Sequence, residues 1–450
     1  MRKGFDKLHN ASVALVLLSV LMAICTATVL YADDADVLPK GVFRALQSGQ
    51  FYAPIDRRFD PDGNVEDVAA DFNAALNSNV FPALAPLDPF VPGLPSIGDS
   101  IVSFKYDLQY MDIDLHYGLT DRVTVGVQIP YRWIKNRVKA RVNSAPGSSA
   151  NVGKNPCFGV AGCPFGAATP LVPTSLGGVR LSTEDVQGLL GPGLDINADG
   201  RVDIPGFGYK RFQTYSGNGL GNIGAGFRYQ YLRTEDWRLA LTSGVRFPTA
   251  RLDDEDNLTD AAFGLGGYNI FFHFNNDYIL SNLWTRHTPS EAIKTGELAP
   301  TGTLVVNGTF RYELRIPYKQ TMRITSDPNN PISRNKERVD RDIGDGFEYE
   351  GSLKYTLFKG VSFSALYKFG FKLKDRVSGN KGFNYESQER ETPATEHIAI
   401  TGLTYSTVPL YLGKKFPVPM TISFNYRNRF LGSNNLQKAQ YYNLVISVFF

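Results

Sequence analysis

Nine residues, Asp195-Ile-Asn-Ala-Asp-Gly-Arg-Val-Asp203, set side-chain oxygens at Asp195, Asn197, Asp199 and Asp203, with Gly200 for a tight turn and the Arg201 carbonyl between them. Their alternate spacing is that of a calcium-binding loop, whose odd positions turn oxygens onto one hard cation. The position that would supply a bidentate carboxylate is Gly206, so the expected ligand is a weakly held calcium ion that stiffens the loop. An Asx-rich turn without metal is the plainer alternative. Cys157 and Cys163 lie upstream in the same segment, and the only other cysteine is Cys25. An oxidising envelope favours a disulfide between the two, with two free thiols as the alternative. Asp112, Asp114 and His116 alternate along an extended segment and share a face, which brings together groups able to activate a water. No serine with a helper base accompanies them, so they are read as a hydrogen-bonding network; no catalytic residue is assigned and the chain is not expected to be an enzyme. His273, Asn275 and Asp277 form a similar trio.

The two ends of the chain say where such groups would sit. Arg2, Lys3 and Lys7 precede an uncharged apolar run from Ala11 to Ala32 that ends in small residues before Asp33 and Asp34. This is the pattern of a secretory signal, residues 1–32, leaving 33–450 as one mature unit. Cys25 follows Ile24 rather than a small residue, which argues against a lipoprotein. At the other end Tyr442, Leu444, Ile446, Val448 and Phe450 alternate with Asn443 and Ser447, so a strand with one bare apolar face closes the chain.

Beyond the signal no apolar stretch reaches the ~18 residues of a membrane helix. A closed β-barrel is the other fold that satisfies every backbone group inside hydrocarbon, and its mark is repeated alternation over about ten residues. Val123, Val125, Val127, Ile129 and Tyr131 alternate with Thr124, Gln128 and Arg132; Phe347, Tyr349, Leu353 and Tyr355 alternate with Glu348, Glu350 and Lys354. An aromatic content of 12%, 43 Gly and 23 Tyr fit the same class, and a net charge of +3 is too small to argue for nucleic acid. Twelve strands are predicted, near 41–58, 100–119, 121–140, 219–234, 235–250, 264–280, 302–322, 343–358, 361–374, 395–410, 418–431 and 437–450. The expected fold is therefore all-β, a transmembrane antiparallel barrel of about 12 strands, with 14 if the connection 281–301 holds two more. Short turns at Thr120-Asp121, Glu235-Asp236 and Lys359-Gly360 belong to the periplasmic end, and the long loops 59–99, 141–218, 323–342 and 375–394 to the cell surface. Apolar positions change face between Tyr110 and Ile113, which predicts a bulge near Met111.

The run Tyr117-Gly-Leu-Thr-Asp-Arg-Val-Thr-Val-Gly-Val-Gln-Ile-Pro-Tyr131 resembles the meta-pathway phenol-degradation outer-membrane transporters, relatives of the long-chain fatty-acid transporters. Gly221-Asn-Ile-Gly-Ala-Gly-Phe-Arg-Tyr-Gln-Tyr231 and Trp237-Arg-Leu-Ala-Leu-Thr-Ser-Gly-Val-Arg-Phe-Pro-Thr249 resemble the family's next hairpin. The terminal Phe450 also resembles the last residue of Gram-negative outer-membrane barrels, which implies outer-membrane lipids and the barrel-assembly machinery as partners. The fatty-acid transporters carry an N-terminal hatch; only about eight residues lie between Asp33 and the first predicted strand at Gly41, so none is expected here.

Inside such a barrel the polar faces would line the lumen with Arg132, Arg228, Arg238, Arg246, Arg311, Arg315, Glu348, Glu350, Lys354, Arg427 and Arg429. A charged ring beside water biases ions and orients polar solutes; in a narrow barrel the same groups pair with one another and fill the space. The proline-rich apolar run 80–95 is unusual for a solvated loop. It is expected to fold inward as a plug and greasy ligand site carried by Phe81, Leu84, Leu87, Phe90 and Val91, the alternative being packing on neighbouring loops. The expected function is passive transport of small molecules, hydrophobic or aromatic ones included; a structural or surface-binding barrel, or a sheath for an electron-transfer partner, is the alternative.

Overall fold

The computed structural model describes residues 34–162, 168–284, 301–325 and 332–450. The expected signal 1–32, Cys163 and most of the connection 281–301 lie outside the described residues. Twelve antiparallel strands close into a barrel: β1 (Phe43–Tyr52), β2 (Ser96–Thr120), β3 (Val123–Asn143), β4 (Gly224–Arg233), β5 (Trp237–Arg246), β6 (Asn269–Ile279), β7 (Leu304–Arg315), β8 (Gly346–Phe358), β9 (Val361–Lys372), β10 (Ala394–Ser406), β11 (Met420–Gly432) and β12 (Gln440–Phe449). Each predicted strand has its counterpart. The terminal strand pairs with the first, from Arg44 opposite Phe449 to Tyr52 opposite Tyr441, and that ladder removes the last free edge. β6 and β7 pair directly from Asn269–Arg315 to Ile279–Val305, so the barrel has twelve strands and not fourteen.

Prolines set where the predicted strands are cut short. β1 stops before Pro54 and β7 before Pro317, because proline cannot donate to the ladder. After Pro317 the chain leaves the barrel as a small sheet of Tyr318–Arg323, Lys336–Asp342 and Arg376–Ser378. The predicted strand 219–234 divides into Tyr215–Leu220 and β4, both paired to β3. The division falls opposite Pro130, whose ring lies 3.0 Å from where a Cβ on Gly221 would sit. A larger residue there would press on the Pro130 ring, which would have to give by a few tenths of an ångström.

Alternation gives the barrel its two faces. Val125, Val127, Phe227, Tyr229, Phe274, Leu353, Phe363, Leu403, Phe424 and Leu444 are exposed on the outside. Tyr117, Tyr231, Trp237, Tyr355 and Tyr405 ring the end that carries the short turns, and Trp133, Phe247, Tyr268 and Phe430 the other. An apolar band between two aromatic girdles is the surface of an outer-membrane barrel, and that is where the protein resides.

The predicted bulge near Met111 is absent. The β2–β3 register runs unbroken from Asp99–Asn143 to Gly118–Thr124, and even-numbered side chains of β2 face inward throughout. What changes is the surroundings. Towards the cell surface the hairpin rises past the hydrocarbon, so its outer face carries Lys105, Asp107 and Arg137, while Phe104, Tyr106 and Leu108 inside pack against Ile55, Val68, Phe212 and Phe263.

Candidate functional site in the barrel lumen

The eleven charged residues assigned to the lumen by alternation all lie on strand faces opposite the exposed apolar ones. Adjacent strands place basic and acidic residues side by side, and the groups interlock. Arg311 donates to Glu348 at 3.1 Å and to Glu350 at 2.9 Å. Glu348 also accepts from Lys368 at 2.7 Å; Lys368 lies 3.5 Å from Glu396, and Glu396 accepts from Arg429 at 3.0 Å. This alternating-sign chain crosses five strands. A second group joins Arg246 to Glu313, with Arg315 3.4 Å from the same carboxylate. Arg132 pairs with the fully buried Asp112 at 2.7 Å. Breaking one partner out of such a buried pair costs roughly 3–5 kcal/mol, because the remaining charge is left desolvated.

Above this layer the lumen turns aromatic. Tyr52 stacks on Tyr441 at 4.2 Å and meets Tyr110 edge-on at 5.2 Å. Arg132 covers the Tyr110 ring at 4.5 Å, and Arg427 covers Tyr441 at 5.3 Å while donating to its hydroxyl at 2.6 Å. Cation–π contacts of this kind bind the charged layer to the aromatic one. The sequence pattern marked Arg132 and Arg427 but not the three tyrosines, whose positions look like ordinary strand residues until the register aligns them.

A cleft opens in one wall of the lumen between Arg311, Glu313 and Arg315 of β7, Glu348 of β8, Lys372 of β9 and Glu396 of β10. It exists because the inward positions beside these long side chains are Gly346, Gly370 and Ala394. A Cβ on Gly346 would stand 2.9 Å from the Arg315 guanidinium, and one on Gly370 3.0 Å from Glu396.

At the periplasmic end the chain itself enters the barrel, which the sequence reading did not anticipate. Ala35 is fully buried; its N–H donates to Asp277 at 2.9 Å and its carbonyl accepts from Gln230 at 2.8 Å. Arg228 and Asn275 donate to the Asp34 carbonyl at 2.8 and 3.0 Å. Arg238 grips both Asp36 oxygens at 2.7 and 2.8 Å, and the Leu38 N–H donates to Thr124 at 2.8 Å. The segment from Asp34 to Leu38 is therefore held inside the periplasmic mouth of the barrel. The available signal was an excess of inward arginines over strand carboxylates, beside an acidic stretch just before the first strand. Asp277 of the second polar trio holds this segment, and Asn307 donates to it at 2.6 Å. His116 of the first trio stands 3.4 Å from Arg44. Lys354 lies half-buried on the inward face of β8.

The other sequence-assigned residues lie in the surface loops. Phe81, Leu84 and Leu87 are buried, but against Leu171, Leu181, Val186, Leu189 and Leu194 of the next long loop, so this run packs on neighbouring loops. Phe207 meets Phe81 edge-on at 5.9 Å. Val91 is partly buried at the margin, and Phe90, expected among the buried set, is 64% exposed. A helix α1 (Thr183–Leu190) supplies part of this core; its Ser182 and Asp185 cap each other reciprocally, and Lys154 holds the Asp185 carboxylate at 3.0 Å. Burial works against ionisation of Asp185, but the hydrogen bonds from Ser182 and Lys154 outweigh it and hold the carboxyl below its usual range. In the Asp195–Asp203 loop, Asp195 accepts from the Asp199 and Gly200 N–H groups, Asn197 from Asp199, Asp199 from Arg201, and Asp203 from Ile196. Among the described residues no three His, Cys, Asp or Glu side chains form a metal-holding group. Cys157 is disulfide-bonded, and its expected partner Cys163 lies outside the described residues.

No family model and no curated protein matches the chain. Among solved structures it is similar to an outer membrane channel from Pseudomonas putida F1, covering 94% of this chain and 100% of that one at 10% identity and a TM-score of 0.47. A TodX mutant, a monoaromatic hydrocarbon channel, is similar over 91% of this chain and 90% of its own, at 11% identity and a TM-score of 0.34. A Pseudomonas aeruginosa FadL homologue is similar over 91% and 90%, at 9% identity and 0.31. Likeness at this level assigns no activity, and the functional reading rests on the lumen.

Proposed function

We propose that the protein is a passive outer-membrane channel for small molecules, hydrophobic or aromatic ones included. The observation that carries this reading is the cleft beside Gly346, Gly370 and Ala394, a gap in an otherwise interlocked lumen that runs up to charged side chains able to orient a polar end. The tyrosine layer of Tyr52, Tyr110 and Tyr441 offers aromatic surface at the same barrel's extracellular half. The segment from Asp34 to Leu38 closes the periplasmic side, so passage requires its displacement. A non-transporting barrel with a structural or surface-binding role is favoured instead by the extent of the ion-pair chain from Glu350 to Arg429. Single-channel conductance of the purified protein in planar bilayers, together with flux of small aromatics into liposomes, separates the two. Conductance that falls when an aromatic solute is added supports the channel; an electrically silent barrel with no flux supports the alternative.

A further inference from the structure

On the outer face of β3 the lipid-facing row Val125, Val127, Ile129, Tyr131 and Trp133 is followed, at the same two-residue interval, by Lys135, Arg137, Lys139 and Arg141. Tyr131 and Trp133, whose rings lie 4.6 Å apart, mark the upper edge of the membrane. All four basic residues above them are exposed. Arg137 pairs with Asp107 across the hairpin, and the adjoining Lys105 reaches Asp56 at 3.2 Å. Lys135, Lys139 and Arg141 make no ion pair or hydrogen bond through their side chains among the described residues. Their cross-strand neighbours are Asp107, Ser103 and Ile101 on β2, and Ser216 lies opposite Lys135 on the other side.

We propose that this face binds a phosphorylated glycolipid of the outer leaflet, with Lys135, Lys139 and Arg141 as its phosphate ligands and Arg137 beside them. Sign and height both select this partner. Strand residues rise ~3.3 Å each and barrel strands tilt by ~40°, so the row climbs on the order of 20 Å above Trp133. A phospholipid interface is only about 5–7 Å deep on each side of the hydrocarbon, which would reach Lys135 and leave the others in water. A lipid whose phosphates are carried outward on sugars meets the whole row. A single Lys or Arg near an anionic surface strengthens association roughly fivefold, and neighbouring sites add imperfectly, so the three free residues together are worth roughly tenfold to a hundredfold in retention.

The test uses the full mature barrel, mixed in detergent with one of three lipids at matched concentration, the phosphatidylglycerol arm also being raised to the total phosphate charge of the phosphorylated glycolipid, and then washed. The lipids are a bisphosphorylated glycolipid bearing phosphorylated core sugars, the same glycolipid after enzymatic dephosphorylation, and phosphatidylglycerol. Wild type is expected to retain the phosphorylated glycolipid and to lose it when the phosphates are removed. The Lys135→Ala/Lys139→Ala/Arg141→Ala variant should retain at least roughly tenfold less, while Lys135→Arg/Lys139→Arg/Arg141→Lys retains wild-type amounts. Equal retention by the alanine variant, equal retention of the dephosphorylated glycolipid, or equal retention of phosphatidylglycerol would each overturn the proposal. The wild-type comparison of lipids decides the matter even if the alanine variant fails to fold.

Discussion

Substituting Asp36 by alanine should open the periplasmic end of the lumen. Arg238 holds both Asp36 oxygens at 2.7 and 2.8 Å, and the pair is largely buried, with 11% and 20% of the two side chains exposed. Removing the carboxylate leaves Arg238 with its strongest partner gone. A fully buried pair broken in this way costs roughly 3–5 kcal/mol, and partial access to water reduces that here to ~2–3 kcal/mol. The segment has little reserve against such a loss. Its hydrogen bonds contribute about 1 kcal/mol each and somewhat more where charged, while ordering each residue from Asp34 to Leu38 costs ~1–2 kcal/mol. Docking is then favoured by only a few kcal/mol, so a loss of ~2–3 kcal/mol would raise the undocked fraction from on the order of 1% to tens of per cent. Planar-bilayer recordings should show open-channel time rising at least tenfold, while heat-modifiability on gels shows the barrel intact. Exchanging the charges, Asp36→Arg with Arg238→Asp, should restore the closed behaviour. An Asp36→Ala barrel that is folded yet conducts like wild type would refute the idea that this segment closes the path.

Gly370→Leu should fill the cleft, since even a Cβ there stands 3.0 Å from Glu396, and should cut solute flux severalfold without lowering the yield of folded barrel. Phe81→Ala, which empties part of the core shared by the two long loops, should destabilise that core by ~3–5 kcal/mol and speed proteolysis within 141–218 while leaving conductance unchanged; altered conductance would return the run 80–95 to the role of a plug. Because the Asp185 carboxyl is held below its usual range, its contribution to α1 is present at neutral pH and is lost as pH falls through that lowered value, in the region below about pH 4 where a free aspartate also protonates. Asp185→Asn should remove that acid sensitivity from loop proteolysis, and an unchanged profile would show that the cap is not the titrating element. For the loop from Asp195 to Asp203 we propose calcium as a ligand: protease protection of 141–218 should then require calcium and vanish in an Asp199→Ala/Asp203→Ala variant, whereas identical digestion with calcium and with chelator rejects the ion.

The barrel was legible because period-two alternation is a local signal that a lipid exterior enforces strand by strand. Val123 to Tyr131 and Tyr442 to Phe450 declare their outward faces without reference to anything else in the chain. The same logic failed at Tyr110. There the alternation kept its phase while the polarity of the two sides exchanged, since β2 and β3 continue above the membrane with water outside and the loop core of Ile55, Val68 and Phe212 inside. A rule that equates apolar with outward must then invent a bulge. The lumen shows a related limit. Alternation places Arg228 and Arg238 inside the barrel, but no periodicity can reveal that their counter-charges come from Asp34 and Asp36, about 200 residues away in sequence and outside any strand. The clue open to a reader of the sequence is a balance of charge. Inward arginines that outnumber the carboxylates of neighbouring strands must find partners from somewhere, since unpaired charges are not tolerated in a narrow lumen. An acidic stretch with no strand of its own is the place to look, and here it supplies the missing charge from within the barrel mouth.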